Sequence, residues 1–379
     1  MKILIVCGEY FNVSNGLSLS TQRFVKQFRR FGDEVRILAS DRGGTPDYAV
    51  SNMKVPFVEG IMEKQNFHFA NPDREVIQKA LSWAEIVHVE EPFPLSVAVV
   101  KEAMKMGLPI TGTFHLYPEN MTASVPIIDS KLSNRNIMNI FRWAVFQYCD
   151  AIQCPTDKVK ARLEQCGYRS RLVVISNGIP SEFIADAPSE IHHAHFTVIS
   201  IGRYSNEKDQ TTLIHAIAQA RHGSDMQLIL AGRGPLEEKY RELGKTLSIP
   251  PIMRFYSQDE LRKEVRIADL YVHCAKVEIE GMSCMEAFAA GTVPLIAESE
   301  LSSTSAYALS EESLYQAGNV EELASKLDWW YEHREQLPKM GRRYIDLART
   351  FTTEICAEKV REMMQDAIFK KKSMVPKTD

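Results

Sequence analysis

The sequence predicts an α/β protein of two domains, each a parallel sheet with crossover helices. Short β-branched runs alternate with helical periods along the chain, the pattern of parallel strands joined by helices. These runs fall into two sets, separated by a stretch rich in turn-forming residues. At 379 residues, 45% hydrophobic and 25% charged, the chain is long enough for two domains that each bury a sizeable core.

The first set opens with Met1-Lys2-Ile3-Leu4-Ile5-Val6-Cys7, an apolar run too short to span a bilayer or serve as a signal peptide. It continues into Gly8-Glu9 and reads as the first buried strand of a cytosolic protein. Further strands are expected near 34–38, 86–89, 109–111, 151–154 and 172–175. The loop Asn12-Val13-Ser14-Asn15-Gly16-Leu17-Ser18 precedes a helical period at 19–31; Gly16 allows close backbone approach, and Asn15 tolerates the same positive φ. Ile110-Thr111-Gly112-Thr113-Phe114-His115 ends a strand on a histidine, and open α/β sheets bind ligands at the carboxyl ends of their strands. The helical period at 131–148 carries a 137/141/145 stripe that fits packing on the sheet. Phe141 and Trp143, with Lys131, Arg135 and Arg142, also suit a bilayer interface.

Residues 176–194 read as a solvated linker. His192, His193 and His195 in and beside it have no second ligand cluster to make a metal site. The second set of strands is expected near 196–201, 226–231, 253–255, 270–274 and 293–296. After Val320 the chain reads as helical to about residue 370, closing on Lys370-Lys371-Lys372, a second candidate contact for anionic lipid.

The chemistry concentrates in the second set. Glu278-Ile279-Glu280-Gly281-Met282-Ser283-Cys284-Met285-Glu286 places two carboxylates eight positions apart across a loop-to-helix junction. Backbone N–H groups near Met282 to Met285 are expected to bind phosphate, with Gly281, Met282 and Ser283 as donor-binding residues, while Glu278 and Glu286 hold sugar and ribose hydroxyls. Upstream, Gly202-Arg203-Tyr204-Ser205-Asn206-Glu207-Lys208 sets two cations five residues apart in a loop, which suits a diphosphate without a metal. Leu228-Ile229-Leu230-Ala231-Gly232-Arg233-Gly234-Pro235 is a strand entering a Gly-rich turn, and lacks the third glycine of the dinucleotide fingerprint.

These three motifs, in this order, resemble the C-terminal half of retaining glycosyltransferases of family 4, whose fold is called GT-B. The resemblance implies two Rossmann-like domains with parallel sheets facing a central cleft: an acceptor-side domain at 1–180, a nucleotide-sugar domain at 195–345, and a helix at 346–379 that crosses back and ends in a basic tail. It also implies that Arg203 and Lys208 hold the donor diphosphate, Glu278 the transferred sugar and Glu286 the ribose. His115 would approach the sugar and Gly16 the donor phosphates. Many members have Gly-Phe-Gly where this chain has Gly281-Met282-Ser283, which predicts a stiffer loop.

Val89-Glu90-Glu91-Pro92-Phe93 and Thr113-Phe114-His115-Leu116-Tyr117-Pro118-Glu119-Asn120, with Val277-Glu278, are similar to bacterial diacylglycerol glucosyltransferases. That similarity implies glucose transfer from UDP-glucose to diacylglycerol and with it peripheral contact with the inner face of the membrane; Asn120, by its place beside the sugar site expected at His115, is the candidate acceptor-side contact. Transfer to a soluble acceptor, a nucleotide-sugar 2-epimerase and a non-catalytic sugar-nucleotide-binding subunit stay open as alternatives. Seven cysteines without a C-x-x-C pair indicate reduced thiols and no zinc site, and a net charge of −4 argues against a nucleic-acid partner. No cofactor or metal is expected beside the nucleotide-sugar donor.

Overall fold

The computed structural model describes residues 1–12, 15–53, 68–122 and 130–374. In chain order the first elements are β1 (Lys2–Val6), α1 (Gly16–Arg30), β2 (Glu34–Ser40), β3 (Tyr48–Val50), α2 (Arg74–Trp83), β4 (Ile86–Val89), α3 (Pro94–Lys105), β5 (Ile110–Thr113), α4 (Pro118–Thr122), α5 (Lys131–Ala144), β6 (Ala151–Cys154), α6 (Asp157–Gln165) and β7 (Arg171–Val174). After them come β8 (Phe196–Ile201), α7 (Gln210–Gln219), β9 (Met226–Ala231), α8 (Glu237–Gly244), β10 (Ile252–Arg254), α9 (Gln258–Ile267), β11 (Leu270–His273), β12 (Val277–Glu278), α10 (Met282–Ala289), β13 (Val293–Glu298), β14 (Leu301–Ser302) and β15 (Leu314–Gln316). The chain closes with α11 (Val320–Glu332), α12 (Leu337–Ala348) and α13 (Thr353–Met374).

Two compact units result. The first joins Met1–Leu116, Lys131–Gly178 and the chain from Thr353; the second joins Ile179–Thr352 with the described part of Tyr117–Ser130. The first unit's sheet has the order β3-β2-β1-β4-β5-β6-β7 and the second unit's β10-β9-β8-β11-β13-β15, with every pairing parallel. Helices cover both faces of such sheets, so their central strands are continuous apolar runs, as in the buried residues of β1, β8 and β11.

Strand order reverses between β1 and β4 in one sheet and between β8 and β11 in the other. At such a point the loops leaving two neighbouring strands diverge and open a crevice at their carboxyl ends. Both crevices lie where the chemistry-bearing loops emerge.

The helix expected from residue 19 starts at Gly16, because the Asn15 side chain caps it by accepting from the Leu17 N–H at 3.1 Å. The period at 131–148 is helical only to Ala144, where Val145 leaves helical geometry (φ −132°, ψ −62°). The 137/141/145 stripe is a packing face: Met138, Phe141, Val145 and Phe146 are buried, whereas Leu132, Ile140 and Trp143 are exposed. The stretch after Val320 breaks into three helices. The last, α13, buries Val360, Met363, Met364 and Ala367 among the core residues of β1, β2 and α1, and Arg361 donates to buried Asp33 at 2.7 Å. The linker histidines are not simply solvated, for His192 pairs with Asp269 and His193 with Glu264, each at 3.2 Å.

Candidate active site

In the second unit the loop after β8 carries Arg203 and Lys208. Its path is fixed from below by glycine: a Cβ on Gly232 would stand 1.9 Å from the Gly202 carbonyl oxygen, so the β9 turn and the β8 loop touch backbone to backbone. Tyr204 reinforces the contact by donating its hydroxyl to the Leu230 carbonyl at 2.6 Å. The Gly-rich turn after β9 is therefore a support for the cationic loop. Asp209, the one described non-glycine residue at positive φ, closes the loop at φ 48°. Its carboxylate accepts from the Thr212 hydroxyl at 2.7 Å and pairs with Lys276 at 2.8 Å.

Glu278 arrives from β12, which pairs with β14, and its carbonyl accepts from the Ser303 N–H at 3.0 Å. Its carboxylate forms an ion pair with Lys208. Burial alone would lift the Glu278 pKa and drop that of Lys208, but each charge overrides this for the other: the carboxyl sits below its ordinary value and the ammonium above. Both are charged at neutral pH. Arg203 is half-buried on the same loop and has no ion-pair partner among the described residues.

After Glu278 the chain turns at Gly281 (φ +79°), where a Cβ would meet the Thr304 hydroxyl at 2.4 Å. The expectation of phosphate-binding N–H groups narrows here. Those of Cys284 and Met285 donate to the Gly281 carbonyl at 2.9 and 3.1 Å, leaving Met282 and Ser283 as the donors at the start of α10. The Ser283 hydroxyl is 3.0 Å from the Tyr271 hydroxyl, a tether that fits the stiffer loop expected from sequence. Glu286 lies one turn further along α10, partly buried.

Under this loop lies a buried polar cluster that the sequence did not single out. The His273 ring stands between the Tyr271 hydroxyl (3.2 Å) and the Thr304 hydroxyl (3.2 Å), with Nε2 3.8 Å from the Glu278 carboxylate. Burial drives its pKa down to about 4, against the pull of Glu278, so the ring is neutral. Glu280, also buried, accepts from the Tyr307 hydroxyl at 2.9 Å. A histidine two residues beyond a tyrosine at a strand end was the available signal.

Asn120 belongs to the same unit, since α4 packs against β12. Its Oδ1 is already used, accepting from the Tyr117 N–H at 3.2 Å. The amide Nδ2 is the end of the side chain that suits a further acceptor.

The first unit holds Gly16 and His115 at the ends of its central strands. A Cβ placed on Gly16 would meet nothing within 4 Å among the described residues. Asn15 has φ −105°, so the positive φ it was expected to tolerate is not used; Val13 and Ser14 fall outside the described residues. His115 Nε2 is 2.9 Å from the Glu90 carboxylate, a partner the sequence did not assign. Neighbouring Glu91 accepts from the Gly8 N–H at 2.7 Å, and burial lifts its pKa to about 8.

Comparison with known proteins agrees with this architecture. Residues 14–183 match the family described as Glycosyltransferase Family 4, and residues 183–346 match Glycosyl transferases group 1. A phosphatidyl-myo-inositol mannosyltransferase of Mycolicibacterium smegmatis is 25% identical over 306 residues, 77% of this chain and 75% of its own length. The alpha-monoglucosyldiacylglycerol synthase of Streptococcus pneumoniae is 22% identical over 326 residues, 78% of this chain and 71% of its own. The crystal structure of Anabaena HepE in complex with UDP superposes with a TM-score of 0.74 at 16% identity, covering 97% of this chain and all of that one. With both halves matched in order and the two parallel sheets of the GT-B fold in place, the chain belongs to the group 1 and family 4 glycosyltransferases and is a hexosyltransferase.

Proposed function

We propose that this glycosyltransferase moves glucose from UDP-glucose to a hydroxyl of diacylglycerol, with retention of configuration and without a metal ion. The observation that carries the donor half is the gathering of Arg203, Lys208 and Glu278 at the switch point of one sheet, beside the Met282 and Ser283 N–H groups. Fixed cations aimed at a departing diphosphate stabilise the charge that grows there and need no metal to do so. Glu278 is then the group on the transferred sugar and Glu286 the group on the ribose, with Gly16 and His115 as the ligand-facing residues of the first unit. In this reading the leaving phosphate takes the acceptor proton on the same face of the sugar.

The lipid half rests on the glycolipid-forming relatives and on the outer face of α5. Leu132, Ile140 and Trp143 are 71%, 58% and 66% exposed and follow one another at helical spacing, with Lys131 and Arg135 exposed beside them. An apolar, aromatic and cationic face of this kind suits an anionic bilayer surface, bound weakly and reversibly. No described helix is long and apolar enough to cross a membrane.

The deciding experiment is transfer of radiolabelled sugar from UDP-glucose, GDP-mannose and related donors to diacylglycerol in anionic mixed micelles. Formation of an α-glucolipid from UDP-glucose is expected. Transfer only to soluble sugars or polyols removes the lipid acceptor, and release of an altered free sugar without any acceptor indicates an epimerase.

A further inference from the structure

Four hydrogen-bonding side chains behind His115 fix where every proton in the group must sit. The Gln153 amide donates to the carbonyls of Ile175 (3.0 Å) and Ser176 (3.4 Å), which turns its Oε1 toward Thr113 as an acceptor. Thr113 gives that oxygen its hydroxyl proton at 2.9 Å and so can only accept from His88 Nε2, also at 2.9 Å. The other ring nitrogen of His88, Nδ1, then accepts from the Thr111 hydroxyl at 2.9 Å. Burial lowers the His88 pKa, against the pull of Glu90.

Glu90 completes the set. Burial would raise its pKa, but His88 and His115 bring it below the ordinary value, so it is a carboxylate with no proton to give. His115 Nε2, 2.9 Å away, must therefore be the donor. With Nε2 turned to Glu90, Nδ1 is the remaining ring position, and it has no hydrogen-bond partner among the described residues.

We infer that Glu90 is a positioning residue that holds His115 in the Nε2–H tautomer, so that the ring offers Nδ1 as a hydrogen-bond acceptor to a substrate hydroxyl. This deepens, and rests on, the glycosyl-transfer reading. It assigns the end of β5, where His115 stands, to a hydroxyl-bearing group and not to a phosphate or carboxylate, which a lone pair repels. The carboxylate acts only through the imidazole.

Long-range proton–nitrogen NMR of protein labelled at histidine tests this directly, with the His115 signals assigned by their loss in His115→Gln. The wild type should show His115 protonated at Nε2, and UDP-glucose should move the Nδ1 resonance without changing the tautomer. Glu90→Gln, which can donate as well as accept, should mix the two tautomers, while Glu90→Asp keeps the charge and the tautomer. In transfer assays Glu90→Gln should lower kcat about tenfold or more with donor KM nearly unchanged, yet cost less than about twofold in a His115→Gln background, because coupled residues are not additive. An Nδ1–H tautomer in the wild type overturns the inference whatever the activity. So does an equal loss from Glu90→Gln in both backgrounds, or a His115 signal indifferent to UDP-glucose that demonstrably binds. Absence of UDP-glucose binding and of transfer with the Nε2–H tautomer intact overturns the transfer reading alone, and the tautomer of Glu90→Gln then decides the role of Glu90.

Discussion

Lys208 and Glu278, 70 residues apart in sequence, form an ion pair at the carboxyl end of the second sheet. In the proposed reaction one of them serves the diphosphate and the other the sugar. Without donor each neutralises the other, so donor binding exchanges one electrostatic partner for another and gains less than two unpaired charges would suggest. Arg203, with no ion-pair partner among the described residues, is the cation better placed to meet the donor first.

The two glutamates of the motif should differ in kind. In the proposed reaction Glu278→Ala removes the carboxylate on the reacting sugar and is expected to lower kcat, whereas Glu286→Ala should weaken donor binding by about 1–3 kcal/mol through loss of a charged hydrogen bond. Steady-state kinetics with calorimetric donor titration separates the two. Negligible effects from both would remove the motif from the active site.

Activity should persist in EDTA and collapse when Arg203 and Lys208 are both changed to alanine. Loss of a preorganised electrostatic donor typically costs about 2.7–4 kcal/mol in barrier height. A strict need for manganese or magnesium would contradict this.

Two buried groups should tilt the stability curve in opposite directions. His273 has its folded pKa depressed from 6.5 to about 4, so the unfolded chain binds more protons in that window and stability falls as pH drops through it. Glu91 has its folded pKa raised from 4.5 to about 8, so the folded chain binds more protons there and stability falls as pH rises. Glu91→Gln, which mimics the protonated acid, should gain on the wild type by at least about 1 kcal/mol between pH 5 and pH 8, one pKa unit being 1.36 kcal/mol. His273→Gln should flatten the acid limb instead. Denaturant melts across pH would show both, and parallel curves for all three proteins would refute the assignment.

Membrane contact should depend on Trp143 and Leu132 and not on Phe141. Serine at the two exposed positions is expected to reduce pelleting with anionic liposomes while leaving the melting temperature unchanged. Phe141→Ser acts on the core and should cost about 3–5 kcal/mol of stability, as large aromatic truncations do. Equal pelleting by wild type and the exposed-face variant would refute docking through α5.

The sequence made legible whatever is written locally. The two sheets follow from alternating runs, and the Glu278-to-Glu286 interval and the Arg203–Lys208 loop are each contained in fewer than a dozen residues. Partnerships across parallel strands were not legible, because a crossover helix always intervenes: Glu90 meets His115 from 25 residues upstream, and Thr304 meets His273 from 31 residues downstream. Phe141 and Trp143 looked alike in sequence, and only the angular position on α5 separates a core side chain from a surface one. The short strands β12 and β14, two residues each, carry no periodicity to read.

The packing of α13 against β1, β2 and α1 has a consequence for biosynthesis. The first unit's opening strands leave the ribosome early, but Val360, Met363 and Met364, which complete their core, are translated after the entire second unit. The nascent first unit must therefore wait with an apolar helix face uncovered, and a chaperone that shields such surfaces is expected to engage the chain until its final helix is released.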